Sequence, residues 1–424
     1  MQDITRNGTD SAESHPETLA LALGGDSNPS RQPIRVGIEA LAWNQKTGYG
    51  RYCRELVSAL LRIPAPYSFT LLMEADAIAP PGAEVIRFVN PRRAGAPVRT
   101  LPSLLSLTRT IARAGMDLWF FPSPLNFVPV IARAAVVVAV HDTIPWRYPK
   151  SIFPSYAQRI AWNIKLRLAA QQSSRLITVS DHARKSVARH FRMPESAITI
   201  VGEAPAAIFR PLTDCPAMAA ISERLAVPPL ARMVVYHGAF APHKNLRALA
   251  RVFARLCREP RFSDVYLVMV GSQSGPNRVE FQALQAICHG LDRVRFPGVL
   301  EDHDLVLALN RATLAVLPSL EEGFGLTGLE AVACGTPVIA TCSSALPDVL
   351  GDAAVYFEPQ DENTLYAHVS GLLANSSRRH ALRERGLERT ASLSWESAAM
   401  RLMEVFDSVL ARPGRARSFQ VRAR

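Results

Sequence analysis

Short β-branched runs alternate with helix-length amphipathic segments along most of the chain, and the alternation occurs twice. The first series reads as strands at Ile34–Ile38, Phe69–Met73, Leu118–Phe121, Val136–Val140, Leu176–Val179 and Ile198–Val201. Helices at Tyr49–Leu61, Ser155–Ala170 and Asp181–Phe191 lie between them. Pro205, Pro211 and Pro216 then break the pattern, with Pro228 and Pro229 beyond, and a linker is placed there. The pattern restarts with strands at Met233–Tyr236, Val265–Val270, Val294–Phe296, Leu314–Leu317 and Val338–Ala340. Its clearest helix is Leu246–Cys257, apolar at 246, 249, 250, 253, 256 and 257, a 3.6-residue stripe. An amphipathic helix, Trp395–Leu410, closes the series. Such alternation predicts an α/β fold of two doubly wound units, each a parallel sheet with helices on both faces.

The composition allows this. The chain has 424 residues, 48% of them apolar and 20% charged, enough for two sizeable cores. Residues 1–32 are polar, with only Leu19–Leu23 as an apolar patch, and read as a flexible leader rather than a secretory signal. No run of about 18 apolar residues is present, so no spanning helix is expected. The six cysteines form no Cys-x-x-Cys or zinc-like spacing, which suits a reduced, cytoplasmic setting. The net charge of +11 fits nucleic acid, an anionic membrane surface or a phosphorylated substrate. It is unevenly spread: Arg159–Arg192 holds eight Lys or Arg against one Asp, and the tail 412–424 holds five Arg and no acid. These runs read either as a solvated face and a disordered tail, or as attachment to the inner leaflet of a membrane.

The stretch Glu322-Gly323-Phe324-Gly325-Leu326-Thr327-Gly328-Leu329-Glu330 carries the most chemistry. It joins a strand to a short helix, and a glycine-bearing loop entering a helix aims backbone N–H groups and a positive dipole end at an anion. Carboxylates beside that anion site accept hydrogen bonds from hydroxyls, and phosphate beside polyhydroxyl describes a sugar nucleotide. Glu330 has a competing reading, a capping box with Thr327 as N-cap. Glu322 has no such structural explanation. Gly238 and Lys244 leave a strand for the 246–257 helix, where an ammonium faces a ligand crevice or merely solvent. His141 ends another strand and reads as a crevice residue or as a core histidine. Gly48-Tyr49-Gly50 permits close approach of a phosphate, though the full dinucleotide fingerprint is absent. Asp302-His303-Asp304 has a metal-ligand spacing, but Asp302 reads better as the N-cap of a helix at 304–311, and no metal is expected.

Taken together, Pro318-Ser319…Glu322-Gly-Phe-Gly-Leu…Leu329-Glu330-Ala331…Gly335-Thr336-Pro337-Val338 resembles the nucleotide-sugar motif of family 4 glycosyltransferases. The resemblance extends to Gly48-Tyr49-Gly50-Arg51-Tyr52, His141-Asp142-Thr143-Ile144-Pro145, Val179-Ser180, Pro242-His243-Lys244-Asn245 and Leu346-Pro347-Asp348-Val349. It implies the GT-B fold: a Rossmann-like acceptor-side domain at 33–210, a Rossmann-like nucleotide-sugar domain at 211–394, and a helix at 395–411 crossing back. By the same resemblance Glu330 binds the ribose, Glu322 the donor sugar, and amides of Phe324, Gly325, Leu326 and Thr327 the sugar and diphosphate. Lys244 pairs with the diphosphate. The base lies near Gly271 and the Gly298-Val299-Leu300 turn, with Gly238 at the neighbouring strand exit. His141 and Gly48, Tyr49 and Gly50 face donor and acceptor from the other domain.

The chain departs from the family at Ala239, where an arginine is frequent, and at Thr327, where proline is common. The implied reaction is retaining transfer of a hexose, with mannose from its GDP donor as the favoured guess, to a glycan or lipid-linked acceptor. No cofactor and no nucleic-acid partner are expected. A sugar-nucleotide epimerase, a phosphorylase or a non-catalytic carbohydrate-binding subunit are the alternatives.

Overall fold

The computed structural model describes residues 33–89, 101–153, 155–213 and 216–411. The leader 1–32 and the tail 412–424 lie outside the described residues.

The first half runs β1 (Ile34–Glu39), α1 (Gly48–Arg62), β2 (Tyr67–Glu74), β3 (Glu84–Phe88), α2 (Leu101–Arg113), β4 (Leu118–Phe121) and β5 (Ala135–Ala139). It continues through α3 (Ile144–Arg147), α4 (Pro149–Ile152), α5 (Tyr156–Gln172), β6 (Arg175–Thr178), α6 (Asp181–Phe191) and β7 (Ile198–Ile200). Its strands form one parallel sheet in the order β3-β2-β1-β4-β5-β6-β7. Residues 205–213 carry no regular structure, as the proline cluster predicts.

The second half runs α7 (Pro216–Arg224), β8 (Arg232–His237), α8 (Leu246–Leu256), β9 (Val265–Val270), α9 (Arg278–Ile287), β10 (Val294–Gly298), α10 (Asp302–Arg311) and β11 (Leu314–Leu317). Then come α11 (Leu326–Ala333), β12 (Val338–Thr341), α12 (Leu346–Leu350), β13 (Ala354–Phe357), α13 (Glu362–Ala374), α14 (Ser376–Ala391) and α15 (Trp395–Leu410). The second parallel sheet has the order β10-β9-β8-β11-β12-β13.

Central strands are buried on both faces, which explains their unbroken apolar runs: all of β4, β11 and β12 is inaccessible to solvent. Helix α8 turns Leu246, Leu249, Ala250, Phe253 and Leu256 into its sheet, the stripe its spacing predicts. Helix α15 returns to the first half. Its Trp395 ring meets Tyr52 at 5.8 Å and its Phe406 ring meets Tyr67 and Phe120, both at 5.9 Å. Burying each such side chain contributes about 1.5–3 kcal/mol. The exposed Arg62–Glu396 pair at 2.6 Å adds at most about 1 kcal/mol, so packing rather than charge holds this helix.

Candidate active site

Each sheet reverses its winding once, between β1 and β4 in the first and between β8 and β11 in the second. Ligands of open parallel sheets sit outside the carboxyl ends of the strands at that switch. The loop after β8 carries Gly238 and Lys244, and the loop after β11 carries Glu322, so the switch itself brings them together. Lys244 Nζ donates to Glu322 Oε1 at 2.6 Å, and Ser319 Oγ donates to the same oxygen at 2.7 Å. Glu322 Oε2 has no hydrogen-bond partner among the described residues. The loop is fixed from behind: Ser344 Oγ accepts from Glu322 N at 2.9 Å, and Thr341 Oγ1 donates to Ser319 O at 2.6 Å. Burial pushes the Glu322 carboxyl up. The Lys244 ammonium, by charge and by hydrogen bond, outweighs that with help from Ser319 and His243, and holds it below the usual carboxylate range. Glu322 is therefore an anion at neutral pH.

Helix α11 follows at once. Gly325 stands in the N-cap position at φ 97°, a left-handed conformation that favours glycine, and a Cβ there would lie 2.6 Å from Leu346 Cδ2. This corrects the capping-box reading of Thr327 and Glu330. Thr327 is the second residue of the helix, because the glycine supplies the chain reversal. The Glu330 carboxylate does not reach back to the helix start. His237 Nε2 lies 2.9 Å from its Oε2 and Arg51 Nη1 lies 2.8 Å from its Oε1. The amides of Leu326 and Thr327 begin the helix without intrahelical acceptors and follow the buried Phe324.

A second correction concerns Asp302. Glu301 occupies the N-cap position of α10 and Asp302 is its first residue, since the chain enters the helix two residues before 304. Asp302 pairs with Arg51, and Asp304 pairs with Arg224 at 2.6 Å. The Asp-x-Asp spacing is thus divided between two arginines. Among the described residues no group of three or more His, Cys, Asp or Glu could hold a metal ion.

The ends of β8, β9 and β10 form the other wall. Gly271 N donates to Gly298 O at 2.9 Å, and a Cβ on Gly271 would lie 2.1 Å from Gly238 O, so only glycine fits. Val299 beyond them is exposed and Leu300 half-buried. At Ala239, Tyr236 Oη donates to the main-chain carbonyl at 2.8 Å, and no side-chain charge stands there.

The first domain meets the Glu322 loop directly. His141 is buried. Its Nε2 donates to the Pro122 carbonyl at 2.7 Å, its Nδ1 faces Glu203 at 3.3 Å, and its ring meets Tyr49 and Tyr52 edge-on. Both ring nitrogens are therefore engaged inside the first domain, and its main chain is what touches the second. A Cβ on Gly323 would lie 2.5 Å from the His141 carbonyl oxygen. Gly48 is exposed at the start of α1, Tyr49 is half-buried, and Gly50 is packed against the Gln45 carbonyl.

Three residues with functional positions escaped the motif reading as site residues. Arg51, one position past Gly50, crosses to Glu330 and Asp302 and lies over the Phe209 ring at 4.8 Å. Glu321 is buried and held by Arg147 and by His182 Nε2 at 3.0 Å, both from the first domain. Asp142 accepts from Ile144 N at 2.8 Å; burial pushes its carboxyl up against the pull of that bond, His141 and Lys244. Adjacent positions in quoted motifs were the only signals for Arg51 and Asp142. Among the described residues four glutamates of the second domain are buried, Glu280, Glu321, Glu322 and Glu330, and each has a cationic partner; the first domain supplies both partners of Glu321 and one of the two at Glu330. An unpaired charge there would cost several kcal/mol.

With this geometry in place, sequence relationships decide the family. The family model "Glycosyltransferase Family 4" matches residues 47–203 and "Glycosyl transferases group 1" matches 219–389, together most of the chain. The chain is a family 4 glycosyltransferase. Escherichia coli O-antigen chain mannosyltransferase B is 28% identical over 68% of this chain and 74% of its own length. The serotype-specific mannosyltransferase WbdA of Escherichia coli is 31% identical over 40% of this chain, which spans only 21% of that protein. MMP alpha-(1->4)-mannosyltransferase of Mycolicibacterium hassiacum is 32% identical over 43% of this chain and 44% of its length. Among solved structures, sucrose-phosphate synthase from Thermosynechococcus elongatus superposes with a TM-score of 0.70 at 20% identity, covering 89% of this chain and 99% of that one. Anabaena HepE in complex with UDP and glucose also gives 0.70, at 16% identity, covering 88% and 100%. These likenesses establish the GT-B fold for this glycosyltransferase.

Proposed function

We propose that this glycosyltransferase moves a hexose from a nucleoside diphosphate sugar to a hydroxyl of a glycan or lipid-linked acceptor, with retention of anomeric configuration, in the assembly of a surface polysaccharide. The reading rests on one observation above all: an ionised, lysine-paired Glu322, with one oxygen unpartnered among the described residues, three residues before the glycine that opens α11. The free Oε2 suits a sugar hydroxyl, and the Lys244 ammonium suits the diphosphate. As the glycosidic bond breaks, negative charge grows on the departing diphosphate, and the ammonium and the first amides of α11 suit that charge. Approach of the two domains aligns the acceptor and excludes water, which would otherwise consume the donor. Glu330 suits the ribose, and the Gly238–Gly271–Gly298 wall suits the base. Relatives named mannosyltransferases support mannose as the sugar, and GDP is proposed as its carrier.

The test is a thermal-shift screen against GDP, UDP and ADP sugars, because a ligand bound only by the folded state raises the melting temperature. GDP-mannose is expected to give the largest shift and to be consumed when acceptor is added. Absence of a shift with every nucleotide sugar would overturn the reading.

A further inference from the structure

Helix α5 carries an apolar face on which nothing packs among the described residues. Tyr156, Ile160, Ile164 and Leu168 are 74%, 43%, 54% and 36% exposed, while Leu166, Ala169 and Ala170 on the other side are buried against the first sheet. Successive steps of four residues place the exposed side chains along an arc of about 120°. The exposed Arg167 falls within that arc, Arg159 flanks it, and Ile152 and Lys150 lie exposed on α4 just before it. From Thr143 to Ser180 the sequence contains six Lys or Arg and no Asp or Glu. Scattered exposed apolar residues are ordinary, but a row on one helix edged by cations is not.

Charge decides what covers this face. A second copy seated symmetrically would set Arg159 and Arg167 against the same cations, with no carboxylate between Thr143 and Ser180 to offset them. An apolar layer topped by anions matches both the aliphatic row and the cations. We propose that α5 seats this enzyme on a bilayer rich in anionic lipid, with Tyr156, Ile160, Ile164 and Leu168 entering the acyl boundary and Arg159, Arg167 and Lys150 at the phosphates. The position gives the contact a purpose. The segment leading into α5 also borders the cleft: Arg147 pairs with Glu321, and the Tyr148 ring lies 5.6 Å from the ring of His243, next to Lys244. A bilayer under α5 therefore lies alongside the acceptor side, where a lipid-linked glycan can enter without leaving the membrane. This purpose rests on the transferase reading above; the docking itself does not.

The experiment is co-sedimentation of the full chain with vesicles of phosphatidylcholine alone or with about 30% phosphatidylglycerol, at physiological ionic strength. The wild type is expected to bind the anionic vesicles at least about tenfold better. Ile160→Asn with Ile164→Asn should reduce that binding about tenfold or more. Arg159→Glu with Arg167→Glu should erase the preference for anionic lipid. Both double variants should keep the wild-type thermal shift with nucleotide sugar, which shows an intact fold. Failure of the wild type to bind either vesicle, or variants that bind as the wild type does, overturns the proposal and leaves the donor site untouched. A wild-type dimer that the isoleucine variant converts to monomer overturns it too, by assigning the face to a second copy. Loss of the nucleotide shift in the wild type, with vesicle binding retained, would instead defeat the donor reading alone.

Discussion

The Arg51 guanidinium, on the first turn of α1, lies 2.8 Å from the Glu330 carboxylate in the middle of α11, so one ion pair joins the two domains at the very group proposed to hold the ribose. His237 takes the other Glu330 oxygen at 2.9 Å. A ribose hydroxyl reaching Glu330 competes with these partners, and the guanidinium is the one that comes from the other domain. Arg51→Ala removes a competitor and a domain clamp at once. The expected outcome is opposite movement of two quantities: nucleoside diphosphate binds about three- to tenfold tighter, whereas turnover falls by about tenfold or more. Calorimetric titration and steady-state kinetics on one preparation check both.

Lys244 and Glu322 form a buried pair with side chains only 13% and 9% exposed. Truncating Glu322 therefore does more than remove a sugar contact, because it strands an ammonium. Glu322→Ala or Lys244→Ala alone should cost about 3–5 kcal/mol of stability, and the two together should cost less than the sum. All three should abolish transfer. Denaturant titration of the four proteins closes the cycle; strict additivity would show that the pair is not coupled.

Where sequence reading succeeded, the governing interactions were local. Helix α8 declares itself because Leu246, Leu249, Phe253 and Leu256 share one face, and the loops of Lys244 and Glu322 follow immediately from strand ends. Strand β3 was missed because only Phe88 of its five residues is buried, so it reads as irregular until it pairs with β2. Helix α14 was missed because only Leu382 and Gly386 are buried in sixteen residues, which leaves no stripe. Thr327 and Glu330 fit the capping-box pattern, yet Gly325 begins the helix and Glu330 answers to residues far away in sequence. The same distance hid Arg51 and Glu321. Their partners are chosen by the meeting of two domains, which no local pattern encodes.

Stability should fall in mildly acid solution, with histidines responsible. Burial, reinforced by the Lys244 charge against the opposing pull of Glu322 and Glu321, lowers His243 to about 4. His190 is exposed along one side, but desolvation of its ring against Trp146, 3.7 Å away, and the charge of Arg167 lower it to about 4 as well. Unfolding restores both toward 6.5, so between about 6.5 and 4 the unfolded chain binds more protons than the folded one. Stability is therefore full above that window and declines as the pH drops through it. His243→Gln and His190→Gln should each flatten the decline of melting temperature with pH. Glu322, lowered from 4.5, adds its own loss only at more acid pH, and that loss should survive both substitutions.

Gly323 separates binding from transfer. A Cβ at this position would lie 2.5 Å from the His141 carbonyl oxygen and 3.0 Å from Asp142 Cβ, both in the other domain and the first of them main chain. A methyl group there cannot be absorbed by a side-chain rotation, so the domains must separate by an ångström or so. Nothing in the wall that holds the nucleotide, from Gly238 to Gly298, needs to move. Gly323→Ala should accordingly leave nucleoside diphosphate affinity within about threefold of wild type and lower turnover by about a hundredfold, the penalty for misplacing reacting groups by about 1 Å. It should also weaken the Ser180 Oγ bond to the Gly323 carbonyl, 2.6 Å in the native chain, which hydrogen exchange at the start of α6 would report. Equal losses of affinity and turnover would mean instead that the methyl group disturbs the donor loop itself.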